Sequence, residues 1–200
     1  MKIMQFKKII TLIVFFSSLN TLAYANFESE EKFVSDFATS AINILGDESL
    51  NNNDKNIQFT DLVMSSIDID FISQLVLGKY WKLASDDQRA NYLKAFKAYF
   101  ISSYANRLDQ YSGEEVVVIS SNAAKKYVIV KTNIIRDGTE TLKIELDWRL
   151  IKRDGRTKIV DLSIEGISLI IAERETFLSF LNNNEGNLDT LIMMMQSKTD

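Results

Sequence analysis

Apolar positions recur with a helical period from Phe27 onward: Phe33, Phe37, Ala41 and Leu45 fall every four residues, with Val34, Ala38 and Ile42 beside them. That spacing predicts a helix, and Gly46 ends it. Leu50 to Asn56 holds four asparagines and two charged residues without an apolar period, so a loop is expected there. Two short helices follow, Phe59 to Ile67 and Asp70 to Leu77, the second presenting Phe71, Ile72, Leu75 and Val76 before Gly78 breaks the run. Ser85 and Gln88 have the form of a capping box, with Asp86 and Asp87 at the positive end of the helix dipole. The helix they open is predicted to reach about Tyr111, showing an aromatic face that includes Tyr92, Phe96, Tyr99, Phe100 and Tyr104, and to stop at Gly113.

Beyond Gly113 the period changes from helical to two. Glu115 to Ser120, Tyr127 to Ile135, Leu142 to Leu150 and Lys158 to Ile164 read as strands. Asp137-Gly138 and Asp154-Gly155 lie between them as hairpin turns, because a tight reversal needs the positive φ angles that these residues tolerate. In the third strand Leu142, Ile144, Leu146, Trp148 and Leu150 share one face, against Lys143, Glu145, Asp147 and Arg149 on the other. One sheet face is therefore expected to be covered and one wet. Helical spacing returns from Ile167 to Leu181 and from Leu188 to about Gln196, with three asparagines between. Helices flanking a contiguous antiparallel meander imply an α+β domain, a four-stranded curved sheet packed on one face by helices.

Composition then narrows the chemistry. The 200-residue chain has no histidine and no cysteine, which removes the commonest general base, thiol nucleophiles, disulfides and the usual transition-metal ligands. Acid or base work by carboxylates, Lys or Tyr stays open, but no spacing argues for it. Lys2, Lys7 and Lys8 precede the apolar run Ile9 to Phe16, and Ala23-Tyr24-Ala25 closes it. This is the form of a cleaved secretory leader over residues 1–25, leaving one domain over 26–200. A membrane anchor would need about 20 apolar residues, and Ser17, Ser18 and Asn20 interrupt the run. Cleavage would remove three of 23 basic residues and none of 27 acidic ones, leaving a net charge of −7. Nucleic acid is an improbable partner for such a chain, and anionic membrane surfaces repel it.

Two segments carry a resemblance. Val76-Leu77-Gly78-Lys79-Tyr80-Trp81-Lys82-Leu83-Ala84-Ser85-Asp86-Asp87-Gln88-Arg89, continued through Tyr92, Phe96 and Tyr104 to Tyr111-Ser112-Gly113, resembles the central motif of the MlaC family of periplasmic phospholipid-binding proteins. Trp148, then Val160-Asp161-Leu162-Ser163-Ile164-Glu165-Gly166-Ile167-Ser168-Leu169, with Arg174 and Phe177 beyond, resembles a second motif in family order. The chain departs from the family in having Glu173 where many members carry Tyr, and in having no proline.

The resemblance implies a soluble periplasmic shuttle with a cone-shaped fold of the nuclear-transport-factor type, its apolar cavity holding acyl tails while the head group stays outside. It further implies a monomer with phospholipid as cargo, no cofactor and no catalysis. The implied partners are an inner-membrane ABC transporter bearing an MCE-domain subunit and an outer-membrane lipoprotein associated with a porin. The inward stripes nominate Phe71, Leu75, Phe96, Phe100, Tyr104, Leu142, Ile144, Leu146, Trp148, Val160, Leu162 and Leu169 as tail-lining. For each, ordinary packed core is the competing reading.

Three rival functions remain. An enzyme of this fold type would use an Asp base, for which Asp147 is the candidate, although alternation puts it opposite Trp148. The others are an adaptor with a filled core and a carrier of another lipophile, such as a hopanoid or isoprenoid. The basic group Lys152, Arg153, Arg156 and Lys158 could meet a phosphate or an acidic surface, or be a solvated turn. Arg174 and Glu165 suit an ion pair or helix cap, and Met193 to Met195 suit gap-filling. The carrier reading needs a hollow interior, since greasy side chains must surround space and not merely touch one another.

Overall fold

A computed structural model describes residues 26–105, 114–136 and 139–199, without side chains at 104–105, 114, 136 and 139–142. The leader, the end of the long helix with Gly113, and the Asp137-Gly138 turn lie outside the described residues. Helix α1 spans Glu28–Gly46, α2 Asn52–Ser66, α3 Ile69–Leu77, α4 Lys79–Leu83 and α5 Asp86–Ala105. Strands β1 (Glu114–Ala124), β2 (Tyr127–Arg136), β3 (Thr139–Arg153), β4 (Arg156–Ile164) and β5 (Ile167–Ser168) follow. Helices α6 (Leu169–Asn183) and α7 (Leu188–Gln196) close the order.

The stretch expected to be a loop is the start of α2. Asn51 caps that helix by accepting from the Asp54 amide at 3.0 Å, so the asparagines that lacked an apolar period supply the helix start. The Ser85–Gln88 capping box forms as expected: each residue's amide donates to the other's side-chain oxygen, both at 3.2 Å. Gly78, at φ 59° and ψ −122°, ends α3 and turns the chain into the short helix α4, which apolar period alone did not disclose. A Cβ there would meet Arg174 Nη2 at 2.9 Å.

The sheet is an antiparallel meander in sequence order with five strands, one more than the pattern predicts. The extra strand is two residues long, too short to show alternation. It folds back on β4 through Glu165-Gly166, both at positive φ, pairing Ile164 with Ile167. Asp154 and Gly155, at φ 51° and 74°, make the expected hairpin. Bulges leave Ile119 of β1 and Val160 of β4 as extra residues.

The buried side chains divide into two clusters. Val130, Leu146, Trp148, Leu150 and Ile159 of the sheet enclose Val34 of α1, with Phe33 and Phe37 packed alongside. The second cluster belongs to the helices and centres on Ile72, Leu77, Tyr92, Phe96, Phe177, Leu181 and Leu191. Among the described residues only Ile67, in the link between α2 and α3, flanks both. A seam therefore runs between sheet core and helix core.

Candidate functional site

Alternation along β3 places Ile144, Leu146 and Trp148 on the face that α1 covers, and cross-strand pairing adds Leu162 opposite Trp148. Leu146 and Trp148 are buried, Leu162 partly so. Trp148 meets Phe37 edge-on at 5.7 Å, and its indole N–H donates to the Thr132 hydroxyl at 2.9 Å, which satisfies that buried polar group. Toward the β3 start, Ile144 is 41% exposed, as is Ile164 of β4 at 37%. The apolar face thus continues past its cover and ends in solvent.

Phe96 is buried in the helical cluster, 6.0 Å from Phe100 and 6.1 Å from Phe177 between ring centres. Phe100 is half-buried against the same cluster, and Leu169 is half-buried at the start of α6. Tyr92 is fully buried and donates to the Ser73 carbonyl at 3.0 Å; burial, with the Glu173 carboxylate nearby, holds its hydroxyl well above the ordinary tyrosine pKa. Tyr104 and Leu142 fall among the side chains that are not described.

Phe71, Leu75 and Val160 come together elsewhere, in a part-open cleft of about 260 Å³ between α3, the start of α6 and the sheet. Tyr127, Arg149, Asp161, Ser168, Ile170, Ile171 and Arg174 complete its walls. Asp161 is buried and takes three donors from three elements: the Arg149 guanidinium at 3.1 Å, the Ser168 hydroxyl at 2.7 Å and the Ile170 amide at 3.3 Å. This carboxylate fastens β3 and β5 to the start of α6. The twelve nominated side chains therefore form no single lining. Those that are described divide among the sheet cluster, the helix cluster and this cleft, with Ile144 exposed and Leu169 at the start of α6 outside all three.

Another cleft, of about 520 Å³, has walls from Tyr80, Leu83, Gln88, Asn182, Gly186 and Leu188, none of them nominated from the sequence. It lies where the α6–α7 turn approaches α4, with Leu83 standing 75% exposed at its edge. The signal that could have marked it was the apolar Leu83 beside the capping box, where a surface residue is ordinarily polar.

The charged candidates have structural partners. Lys152 pairs with buried Glu30 at 3.0 Å, Arg153 with Asp68 at 3.2 Å, and Lys158 donates to the Ser65 carbonyl, so three of the four hairpin cations tie the sheet to α1, to the N-cap of α3 and to α2. Burial alone would raise the Glu30 carboxyl, but the Ser29 hydroxyl and Lys152 outweigh it and hold the group below the ordinary carboxylate range. Arg174 donates to the Leu75 carbonyl at 3.0 Å, and Glu165 accepts from the Glu145 amide at 2.6 Å; both act as caps for backbone groups. Glu173 accepts from Tyr99 at 2.8 Å. Asp147 sits opposite the Trp148 face, 3.7 Å from Lys131. Met195 fills the helical core while Met193 is exposed. Among the described residues no group of three or more carboxylates could hold a metal, and no helix is long and apolar enough to cross a membrane.

An antiparallel meander with one apolar face running into a helical layer, and with an open cleft at the junction, defines an α+β protein in class. The same architecture occurs in a phospholipid-binding protein from Ralstonia solanacearum, solved in complex with a phospholipid, with a TM-score of 0.72 over 84% of this chain and 96% of that one; at 22% identity the likeness is one of fold. The family model of the MlaC protein matches residues 35–197, and the chain belongs to the MlaC family. A relative in Haemophilus influenzae, the intermembrane phospholipid transport system binding protein MlaC, is 26% identical over 133 residues, 65% of this chain. The match spans 61% of that relative's length.

Proposed function

We propose that this chain is a periplasmic carrier of phospholipid between outer-membrane and inner-membrane complexes, and that it performs no covalent chemistry. Family membership over residues 35–197 carries the reading, and the names of the Haemophilus and Ralstonia proteins supply the cargo class. On this reading residues 1–25 are a leader, the helices and curved sheet form a cone around the tails, and the partners are an MCE-bearing ABC transporter and a lipoprotein–porin complex.

The physics of such cargo sets what the fold must do. Two acyl chains hold about 30 methylenes, and at about 0.8 kcal/mol each they resist water by roughly 24 kcal/mol. Spontaneous release into water is therefore negligible, and loading and unloading belong inside partner complexes. In the described structure Phe96 packs on Phe100 and Trp148 on Phe37 within separate clusters, so tails would enter by parting the seam between the two clusters from the end where Ile144 and Ile164 meet solvent. Few side chains flank both clusters, which makes that the least costly line of separation.

Organic extraction and native mass spectrometry of the protein from its own periplasm test the reading. Diacyl phospholipid at about one per chain is expected, and the Ile144→Asp variant, charged at a half-exposed rim position, should fold yet lose it. Another lipophile would replace the cargo assignment. No bound lipid would favour an adaptor, a reading for which the touching ring pairs in the core already speak.

A further inference from the structure

Positive charge is unevenly placed on this acidic chain. The β1–β2 and β3–β4 turns lie at the same end of the sheet, because Ala124 pairs with Tyr127, Val128 with Leu150, and Arg153 with Arg156. Together they gather Lys125, Lys126, Lys152, Arg153, Arg156 and Lys158, with Asp154 as the carboxylate of the turns themselves and Glu30 and Asp68 paired to Lys152 and Arg153, in a sequence whose acidic residues outnumber its basic ones by 27 to 23. Lys152, Arg153 and Lys158 are engaged with α1, the N-cap of α3 and α2 as described above. Lys125, Lys126 and Arg156 form no ion pair with the described residues.

We infer that this end of the sheet is a docking surface for an acidic segment of a protein partner, one with carboxylates flanking an apolar side chain. Charge complementarity is the first ground: the tips present cations on a chain that is otherwise acidic, and a field of that sign steers an acidic surface to them within about a Debye length, roughly 8 Å. Aromatic support is the second. Phe71 lies under both Arg153, at 5.0 Å, and Lys126, at 5.5 Å, while Tyr127 lies under Lys126, at 5.2 Å, and Arg149, at 5.7 Å. Cations held on rings lose less rotamer freedom on binding, and Arg with Tyr is the composition of protein hot spots.

A place for the anchor is the third ground. Beside the same rings opens the 260 Å³ cleft, where Leu75 and Ile171 remain 37% and 55% exposed, room for about one apolar side chain. A bilayer is the poorer occupant. The turn residues Lys125, Lys126, Asp154, Gly155 and Arg156 include no apolar side chain to insert, and the net charge of the whole opposes an anionic surface.

The inference rests on the carrier reading only for the partner's identity, not for the surface itself. Its probe is a synthetic peptide of glutamates around a central leucine, titrated into the full mature chain by calorimetry at low and high salt, with phosphatidylcholine vesicles containing phosphatidylglycerol in parallel. The Lys125→Glu/Lys126→Glu/Arg156→Glu variant should bind the peptide about tenfold or more weakly, whereas Lys82→Glu/Lys94→Glu/Lys143→Glu, of identical net charge, should match wild type at high salt. Peptide binding equal in the two variants overturns the proposal. So does wild-type binding to vesicles and not to peptide. Extracted lipid separates the two readings: a tip variant with full cargo and lost peptide binding isolates the docking surface, while peptide binding through the tips by a lipid-free chain keeps the surface and refutes the cargo.

Discussion

Asp161→Asn tests how the β4 edge is fastened to α6. One oxygen of this carboxylate takes the Ser168 hydroxyl and the Arg149 guanidinium, and the other takes the Ile170 amide. An amide of the same shape keeps one acceptor and turns an N–H toward groups that themselves donate. The Ser168 hydroxyl can rotate to accept, but Arg149 cannot, so the loss concentrates on that contact. A hydrogen bond to a charged group contributes about 1.5–3 kcal/mol, and the half-exposed Arg149 recovers part of it from water, leaving about 2 kcal/mol. For a domain of this size that lowers Tm by about 4–8 °C. Urea denaturation of Asp161→Asn, Arg149→Gln and the double variant forms a cycle whose coupling should be about 1 kcal/mol with m unchanged. A Tm shift under about 1 °C, or additive single effects, would refute the assignment of Asp161 as the fastening group.

Thr132→Val leaves the buried Trp148 N–H without its acceptor and should cost about 1–3 kcal/mol by urea denaturation, with Thr132→Ser losing much less. Gly78→Ala places a Cβ at φ 59° and 2.9 Å from Arg174 Nη2, and a loss of about 1–3 kcal/mol is expected in the same assay. The Glu30 carboxyl is held below its ordinary value in the fold, so its contribution is present above the unfolded carboxylate's pKa and disappears as pH falls through the folded one. The stability difference between wild type and Glu30→Gln should accordingly shrink on acidification below about 4.5, and a gap that stays constant there would exclude the Lys152–Glu30 tie as its cause.

Legibility followed the range of the interaction. The stripe of α1, the Ser85–Gln88 box, the Asp154-Gly155 turn and the alternation of β3 are set by neighbours within a few residues, and each stands in the structure as the spacing implies. The start of α2 was misread because asparagine favours loops and helix caps alike, and only the Asp54 amide distinguishes the two. β5 was missed because two residues carry no period.

Candidate-site reasoning met a harder limit. Period two shows that Ile144, Leu146 and Trp148 share a face, but not which of them a helix covers. Coverage depends on where α1 crosses the sheet, and it leaves Ile144 in solvent while it buries the other two. Likewise the spacing along α3 marks Phe71 and Leu75 as apolar, yet only the approach of α6 and β4 makes them walls of a cleft instead of core.

What the chain's order of residues settled alone was the order of the longer elements, the α+β class and the family resemblance, because backbone periodicity and motif spacing are local and survive without knowledge of packing. Tertiary structure decided the division into two apolar clusters, the three-donor seat of Asp161 and the gathering of six cations at one end of the sheet. The clusters and the cation group join residues tens of positions apart, and the Asp161 seat joins separate elements seven to twelve positions away. Their contacts depend on strand register and helix placement, quantities that linear spacing does not encode.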